Sequence, residues 1–382
     1  MLYIRISNII GSTRRIRDGA VLLDGSKILA IDSANNLPMP GGAVLLDARS
    51  LNAAPGFIDW QLNGGFGQDF TENPTSIWDV ASRLPEHGVT AFLPTIITAP
   101  LGVYQQAQTV LRNGAPTGFS GAEPLGLHFE GPYLNLAKKG AHNPNYLRSP
   151  STSETATWSR KNGVWLVTLA PELAGAHDLV ISLRKKGVVV SAGHSLATYE
   201  QAQDAFKIGV SSVTHLFNAM PALDHRAPGL IAASLQTRNV YTGLIPDGIH
   251  VHPAMVSLAW KQKGSQKMAI VTDAMAALGM PAGIYGLGDY QVRVDTVSAR
   301  LENGTLAGSI LQMDQAVRNL MAFTGCSLAQ AVGAASLNPA RLTGAGHKGR
   351  LQPGADADLV LLDDQANIMV TIVKGKVAFS KL

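Results

Sequence analysis

The sequence predicts an α/β fold: a TIM-like (β/α)8 barrel with a small β-sandwich domain built from both chain termini. Through the middle of the chain, short apolar runs of strand length alternate with helix-length segments, which is typical of βα repeats and a parallel sheet. Both ends of the chain instead consist of strand-like runs joined by tight turns. The 382 residues, 46% of them hydrophobic, also exceed the roughly 250 that a bare barrel needs.

The terminal segments predict one small domain that the two ends share. Residues 21–31 place Asp24 and Gly25 between two apolar runs, which is a strong hairpin signal. Residues 358–363 and 370–377 have the same strand-rich character near the C-terminus. The predicted division of the chain is 1–53 for the N-terminal part of the small β domain, 54–345 for the barrel, and 346–382 for the C-terminal part of the small domain.

Eight apolar segments of the central region are predicted to be the barrel strands. They recur at intervals of roughly 23 to 40 residues, which fits βα units with loop insertions. Helical patterns over residues 198–207 and 313–323 lie where an outer layer of helices requires them. The predicted strands centre on residues 57–58, 91–93, 126–128, 166–168, 188–190, 212–214, 241–243 and 269–271.

Four residues with catalytic or metal-binding chemistry end four of these runs: Glu130, His194, His215 and Asp273. In a closed barrel, the C-terminal strand ends converge on the face where chemistry is done. One carboxylate and two imidazoles suit Zn²⁺ or another divalent transition metal, which leaves Asp273 as a free carboxylate beside the metal. Each residue alone has a plainer reading as a turn former, a helix cap or a structural histidine. Their joint placement predicts a metal-dependent hydrolase.

Composition excludes several classes of protein. The formal net charge is +4 and the pI about 9.1, but the basic residues are scattered and aromatics are only 6%, so we expect no nucleic-acid partner. No apolar run approaches the roughly 18 residues of a membrane span, and no basic segment followed by a long apolar stretch opens the chain. The single cysteine, Cys326, fits a reducing compartment. We therefore expect a cytoplasmic protein with a small-molecule substrate.

Eight stretches of the chain carry recognisable motifs: PGFID (55–59), HFEGP (128–132), KGAHNP (139–144), AGHS (192–195), THLFNAMP (214–221), DGIH (247–250), VTDA (271–274) and GRLQPGADAD (349–358). Together they resemble the N-acetylglucosamine-6-phosphate deacetylase family of the amidohydrolase superfamily. The Pro-Gly motifs at either end are shared across the superfamily, whereas HFEGP, GAHNP and HLFNAM are far more specific. The resemblance spans most of the chain.

The resemblance implies one divalent metal ion per subunit, held by Glu130, His194 and His215. Zn²⁺ is the preferred ion, with Fe²⁺, Mn²⁺ and Co²⁺ as alternatives. Such a cation activates water for attack on an amide carbonyl. Asp273 would take the proton of that water and deliver it to the departing amine, and His142 would polarise the acetyl carbonyl or its oxyanion.

The resemblance also implies a substrate site and a homodimer. Asn218 and Ala219 would line the sugar and phosphate pocket, while His250 and Arg226 would hold the phosphate through charge-assisted contacts. Arg226 would reach in from a neighbouring subunit; its plainer reading is a surface-loop arginine paired with Asp224. The implied substrate-binding residues are Ala141, His142, Asn218, Ala219, Arg226, His250, Leu306, Ala307 and Gly308.

The chain departs from other amidohydrolases at a second metal position. Many members carry His-x-His after the first strand, whereas this chain has Gln61 and Asn63. Neutral amides are poor zinc ligands, so we expect one tightly bound metal, with these two residues near the water or in a weak second site. Residues 165–172 contain no lysine, which argues against a carboxylated lysine bridge and pyrimidine-ring chemistry. Lys138 and Lys139 are predicted to lie on a solvated face.

The resemblance implies hydrolysis of the acetamide of N-acetyl-D-glucosamine 6-phosphate to D-glucosamine 6-phosphate and acetate, in amino-sugar catabolism. The closest alternative is the same chemistry on N-acetylgalactosamine 6-phosphate or an N-acyl amino acid. The alternative from a different class of protein is a barrel that has lost catalysis and serves only as a binding or scaffold protein. The motifs leave the physiological metal and the preferred sugar epimer open.

Overall fold

The computed structural model describes residues 1–11 and 15–382. The strands, in chain order, are β1 (Leu2–Ile10), β2 (Arg15–Asp24), β3 (Lys27–Ser33), β4 (Val44–Pro55), β5 (Phe57–Leu62), β6 (Gly64–Gly65), β7 (Gln68–Asp69), β8 (Val89–Ile96), β9 (Glu123–Pro124), β10 (Leu127–Glu130), β11 (Val164–Leu169), β12 (Val189–Ala192), β13 (Ser212–Val213), β14 (Tyr241–Leu244), β15 (Met268–Ile270), β16 (Gly283–Leu287), β17 (Tyr290–Val294), β18 (Ala299–Arg300), β19 (Leu359–Leu362), β20 (Ile368–Val373) and β21 (Lys376–Ser380).

The α-helices are α1 (Ile77–Arg83), α2 (Leu101–Asn113), α3 (Ala176–Lys185), α4 (Tyr199–Ile208), α5 (Gly229–Gln236), α6 (Pro253–Lys263), α7 (Met313–Thr324), α8 (Leu328–Ala335) and α9 (Leu337–Thr343). Short 3-10 helices lie at Pro74–Ser76, Leu84–His87, Leu136–Lys138, Pro144–Tyr146 and Arg160–Asn162. Within these described parts of the chain, no helix is long and apolar enough to cross a membrane.

Eight parallel strands form a nearly closed barrel in the order β5, β8, β10, β11, β12, β13, β14, β15. All eight coincide with the predicted segments. A parallel bridge between Leu62 and Ala274 links the first strand to the segment that follows the last, which draws the two edges together. Every residue of β5 and β8 is buried, as expected for strands that have the barrel interior on one side and helices on the other.

The predicted helices are present, and local signals set their ends. At α4, the Thr198 hydroxyl accepts the Gln201 N–H and the Gln201 side chain accepts the Thr198 N–H, which satisfies two otherwise unpaired donors. The helix ends at Gly209, whose φ of 114° is accessible mainly to glycine. The second predicted helix, over residues 313–323, is α7.

Strands from both termini form a separate seven-stranded sheet in the order β21, β20, β19, β4, β1, β2, β3. β1 and β4 are parallel, and the other neighbours are antiparallel. The predicted hairpin is β2–β3, in which Asp24 pairs with Lys27 across the turn. The alternation of apolar residues supplies one face of this sheet with a core that includes Ile4, Ile6 and Ile372. The sheet thus joins the two ends of the chain, as predicted.

A three-stranded antiparallel sheet, β16–β18, lies between the eighth barrel strand and α7, and the sequence analysis did not predict it. Part of its signal was present: Gly288 and Asp289 form a two-residue turn, and apolar and polar residues alternate along β17. Leu287 and Arg300 of this sheet line the cavity described below. The sheet therefore supplies one wall of the candidate site.

A buried ion cluster joins the barrel to the C-terminal segment. The Lys348 side chain is 1% exposed, and its Nζ lies 2.6 Å from Asp358 Oδ2, 2.7 Å from Glu123 Oε2 and 3.1 Å from Asp356 Oδ2. Glu123 belongs to β9, which pairs with barrel strand β8. The positive charge of Lys348 therefore compensates the negative charges of carboxylates from both the barrel and the C-terminal segment.

Candidate active site

Four reactive side chains gather at the C-terminal ends of barrel strands. Glu130 ends β10, and His194, His215 and Asp273 follow β12, β13 and β15. All four are buried. The backbones of His194, His215 and Asp273 are left-handed, with φ of 50°, 29° and 49°. For residues other than glycine this conformation costs about 1–3 kcal/mol, and such strain is concentrated at functional sites.

Glu130, His194 and His215 direct three potential ligand atoms toward one point. His215 Nε2 lies 3.0 Å from Glu130 Oε1 and 3.0 Å from His194 Nε2, and His194 Nε2 lies 3.3 Å from Glu130 Oε1. Ligand atoms about 2.0–2.1 Å from a tetrahedral Zn²⁺ are roughly 3.3 Å apart, so the triangle has a suitable size. Within residues 1–11 and 15–382, these three are the one group of His, Cys, Asp and Glu that meets the geometry for a metal.

A hydrogen bond orients the ring of His194 toward the cluster. Its Nδ1 lies 2.8 Å from the carbonyl oxygen of Lys138, which can only accept, so Nδ1 carries the proton and Nε2 presents a lone pair to the cluster. Burial alone would raise the pKa of Glu130, but the contacts with His194 and His215 hold it well below its ordinary value. An ionised carboxylate and two imidazole nitrogens directed at one point fit a divalent cation.

Asp273 is a separate carboxylate beside this cluster. Its Oδ1 accepts hydrogen bonds from Asn63 Nδ2 at 2.8 Å and from Gln61 Nε2 at 3.2 Å. Gln61 Nε2 also donates to Glu130 Oε1 at 3.1 Å, so one amide joins the two carboxylates. Burial raises the pKa of Asp273 to about 6, and the charge of Glu130 adds to the increase. A carboxyl group that titrates near neutrality suits proton transfer in both directions.

His142 is a neutral hydrogen-bond donor in the same site. Its Nδ1 accepts the backbone N–H of Thr98 at 3.2 Å and lies 2.8 Å from Thr98 Oγ1. Because an amide N–H can only donate, the ring proton is on Nε2, which lies 4.0 Å from Glu130 Oε2. Burial lowers the pKa of His142 well below its ordinary value, so the ring is uncharged at neutral pH. Its Nε2–H can donate to a carbonyl oxygen beside the cluster.

The four residues and His142 lie in a cavity of about 460 Å³, a volume suited to a small molecule. His250 lines it from the segment after β14, and Asp247 Oδ2 lies 2.6 Å from His250 Nδ1, so the other ring nitrogen is free to face a ligand. The remaining predicted contact residues that line the cavity are Ala141, Asn218, Ala219, Leu306 and Gly308.

Three predicted site residues lie outside the cavity wall. Gln61 is fully buried behind it, where it bonds to Glu130 and Asp273 as described above, whereas Asn63 is part of the wall. Ala307 is also fully buried, and its N–H bonds to the carbonyl oxygen of Ala299. Arg226 is exposed on the loop before α5, where its N–H bonds to Asp224 Oδ1.

Sequence reasoning missed Lys138 and Arg300, which also line the cavity. The assignment of Lys138 to a solvated face was wrong: the residue is half-buried, and its carbonyl oxygen orients His194. The signal was available, because Lys138 directly precedes the KGAHNP motif that carries His142. Nothing in the local pattern distinguished Arg300, because its position depends on the unpredicted sheet.

Residues 52–378 match the amidohydrolase family. An N-acetylglucosamine-6-phosphate deacetylase from Danio rerio is 40% identical over 353 residues, covering 88% of this chain and 86% of that protein. The protein of the same name from Bacillus subtilis (strain 168) is 36% identical and covers 99% of this chain and 97% of its own length. A mutant N-acetyl-D-glucosamine-6-phosphate deacetylase from Mycobacterium smegmatis, solved in complex with N-acetyl-D-glucosamine-6-phosphate, superimposes with a TM-score of 0.90 at 31% identity, with 99% of each chain covered.

The barrel and its buried Glu/His/His cluster are thus those of a metal-dependent hydrolase. The chain belongs to the amidohydrolase family and, within it, to the N-acetylglucosamine-6-phosphate deacetylases.

Proposed function

We propose that this chain hydrolyses the acetamide of N-acetyl-D-glucosamine 6-phosphate to D-glucosamine 6-phosphate and acetate. The observation that carries the proposal is the placement of Asp273 beside the Glu130–His194–His215 cluster in one cavity. The relatives bear the name of this deacetylase, and the similar Mycobacterium smegmatis structure contains the phosphorylated sugar. Among the alternatives, N-acetylgalactosamine 6-phosphate is the one that a relative supports: a protein from Escherichia coli O157:H7, 36% identical over 89% of this chain, is named N-acetylgalactosamine-6-phosphate deacetylase. No observation favours an N-acyl amino acid or a barrel without catalysis.

Glu130, His194 and His215 would hold one divalent metal ion per subunit, with Zn²⁺ our preferred ion. When bound, the cation would act as a Lewis acid and lower the pKa of a water molecule. Fe²⁺, Mn²⁺ and Co²⁺ favour similar oxygen and nitrogen ligands and remain alternatives. The side-chain amide oxygens of Gln61 and Asn63, Oε1 and Oδ1, are buried without a hydrogen-bond partner among the described residues, which supports a water site or a weak second cation site there.

Asp273 would act as both base and acid. It takes a proton from water as the water oxygen attacks the acetyl carbonyl carbon, and the tetrahedral intermediate forms. It then gives that proton to the amide nitrogen as the C–N bond breaks, so that the free amine and acetic acid leave, and the acid ionises to acetate. The amide donors of Asn63 and Gln61 hold its Oδ1 in place throughout.

His142 would stabilise the oxygen of that intermediate. Since its Nδ1 is occupied by Thr98, the Nε2–H is the donor, and burial keeps the ring neutral. A preorganised donor aimed at developing negative charge is worth about 10²- to 10³-fold in rate.

The opposite part of the cavity would bind the sugar phosphate. Asn218, Ala219 and His250 line it, with Asp247 orienting His250. Ala141, Leu306 and Gly308 would contact the sugar or the acetyl group, and Ala307 would support them from beneath. We further propose a cytoplasmic homodimer in which Arg226 reaches the phosphate of the neighbouring active site, since its side chain is exposed on a loop outside its own cavity.

The substrate assignment is tested by acetate release from N-acetylglucosamine 6-phosphate, its unphosphorylated analogue and N-acetylgalactosamine 6-phosphate. We expect the first to have the highest kcat/KM and the loss of phosphate to lower it by about 10²-fold or more. Equal rates with and without phosphate would contradict the assignment.

The role of Arg226 is tested by mixing two inactive variants, Arg226→Ala and Asp273→Asn. In a mixed dimer, the active site that retains Asp273 receives Arg226 from the other subunit, so activity should reappear on mixing. If a mixture of equal amounts of the two variants stayed inactive after subunit exchange, the proposal that Arg226 acts in the neighbouring subunit would be contradicted.

A further inference from the structure

We propose that Lys138 binds the phosphate of the substrate, so that each chain supplies a phosphate-binding cation to its own cavity. The proposal rests on the proposed function and adds a specificity residue to it. Four features of the structure support it: a fixed backbone, an ammonium group without a carboxylate partner, an adjacent loop with free N–H groups, and the charge distribution of the cavity.

The backbone of Lys138 is tied to the metal-ligand segment. Its carbonyl oxygen accepts a hydrogen bond from His194 Nδ1 at 2.8 Å. Three residues earlier, the N–H of Asn135 donates to the carbonyl oxygen of His194 at 2.9 Å. The short helix Leu136–Lys138 is thus held beside His194, and the side chain of Lys138 extends from a fixed backbone position in the cavity wall.

The ammonium group of Lys138 keeps most of its binding capacity. Its Nζ donates to the carbonyl oxygen of Met220 at 3.2 Å, which uses one of three N–H groups. In the part of the chain that the structure describes, no carboxylate oxygen lies within 4.0 Å of this nitrogen. A half-buried cation with two spare donors and no acidic partner is suited to an anionic ligand group.

The loop that Lys138 contacts presents further donors. Phe217 and Ala219 have left-handed backbones, with φ of 79° and 53°. The N–H groups of Ala219 and Met220 bond to no backbone acceptor in residues 1–11 and 15–382. Successive N–H groups in such a turn form a concavity that attracts anions. The ammonium group lies beside it, because Met220 supplies the carbonyl oxygen that holds the lysine.

The charge distribution of the cavity favours the same position. Among the described residues, Lys138 and Arg300 are the lysine and arginine side chains that line it. The guanidinium group of Arg300 donates to the carbonyl oxygen of Gly304 at 2.9 Å and to Ser298 Oγ at 3.3 Å, within its own sheet and turn. Lys138 is therefore the cation better placed for a phosphate at the loop of Asn218 and Ala219.

The test compares Lys138→Met with Lys138→Arg, and uses Lys139→Met as the matched control. Lys139 is the next lysine in the chain but does not line the cavity. All three variants keep the backbone carbonyl that holds His194, so their metal content should equal that of the wild type. Two readouts are needed: kcat/KM for N-acetylglucosamine 6-phosphate and for N-acetylglucosamine, and the calorimetric affinity for glucose 6-phosphate and for glucose.

We expect Lys138→Met to lower kcat/KM for the phosphorylated substrate about 10- to 100-fold, the usual worth of a charge-assisted hydrogen bond, and to leave the unphosphorylated substrate within a few fold. Its affinity for glucose 6-phosphate should fall similarly, Lys138→Arg should recover most of the loss, and Lys139→Met should resemble the wild type. Equal losses on both substrates, or none, would overturn the proposal. The binding experiment contains no amide, so it tests Lys138 even if the wild type does not hydrolyse N-acetylglucosamine 6-phosphate.

Discussion

The backbone N–H of Thr98 donates to Nδ1 of His142 at 3.2 Å, and this one bond determines which ring nitrogen faces the metal-ligand cluster. Thr98 follows β8, whereas His142 lies in the loop after β10, so two neighbouring barrel strands cooperate to set one tautomer. A side chain whose proton position is fixed before the substrate arrives needs no reorganisation during the reaction.

Replacing His142 by phenylalanine should lower kcat about 10²- to 10³-fold with little change in KM, because the donor acts on charge that develops in the transition state. Thr98→Val is the companion variant: it removes the hydroxyl group 2.8 Å from Nδ1 but keeps the backbone N–H, so its loss should be smaller. Metal content should stay at the wild-type level in both. If His142→Phe retained wild-type kcat with a full complement of metal, the proposed role would be wrong.

Removal of the metal should abolish activity and lower the melting temperature. A ligand that binds only the folded state stabilises it, and Glu130, His194 and His215 bring three ligand atoms within 3.0–3.3 Å of one another in the folded chain. Calorimetry of chelated protein, followed by titration with Zn²⁺, Co²⁺, Mn²⁺ or Fe²⁺, measures both effects. His194→Ala should retain the fold but bind the ion more weakly. Undiminished turnover after the metal has been removed to background would refute the metal site.

The barrel was predictable because its signals are local. Each of the eight strands is an apolar run, and the chemistry-bearing residues stand at strand ends, where a parallel barrel must bring them together. The His128-Phe129-Glu130 run illustrates the rule: the strand pattern alone places the carboxylate of Glu130 at the site.

The other features of the candidate site could not be predicted, because they depend on contacts between residues that are distant in the sequence. Gln61 lies near the end of a barrel strand, as this rule predicts. Packing across the barrel determines that its amide donates to both Glu130 and Asp273. Lys138 was misassigned because a lysine in a polar loop is usually solvated, and only the fold brings its carbonyl oxygen to His194. Arg300 lies in β18, a two-residue strand that its pairing with β17 defines and that its own two residues do not predict.

Lys348→Met should destabilise the protein by about 3–5 kcal/mol, because it leaves buried carboxylates without their cation. The loss is expected to be largest near neutral pH and to shrink as acid protonates Asp356 and Asp358. Urea unfolding at several pH values measures it. Glu123→Gln is the control: this residue is 30% exposed and has a second partner in Lys374, so its effect should be smaller. A Lys348→Met variant of wild-type stability would show that the cluster contributes nothing.

Asp69→Asn should become progressively more stable than the wild type as pH rises from 4 to 8. Burial raises the pKa of Asp69 to about 6, so the folded state favours the protonated form. The stability that this group contributes is fully present below its unfolded pKa, near 4, and is lost as pH rises through about 6. The asparagine keeps an oxygen for the N–H groups of Thr71 and Glu72 but cannot ionise. The difference in free energy of unfolding should grow by up to about 3 kcal/mol; a difference independent of pH would refute the shift.

We propose that Asp273 transfers protons beside a metal held by Glu130, His194 and His215 during deacetylation of N-acetylglucosamine 6-phosphate. The most direct test is acetate release by metal-loaded wild type and Asp273→Asn, with metal content determined for both. We expect rapid turnover by the wild type and a loss of about 10²- to 10⁴-fold in a variant that keeps its metal. A fully metallated wild type that releases no acetate, or an Asp273→Asn variant as active as the wild type, would contradict the account.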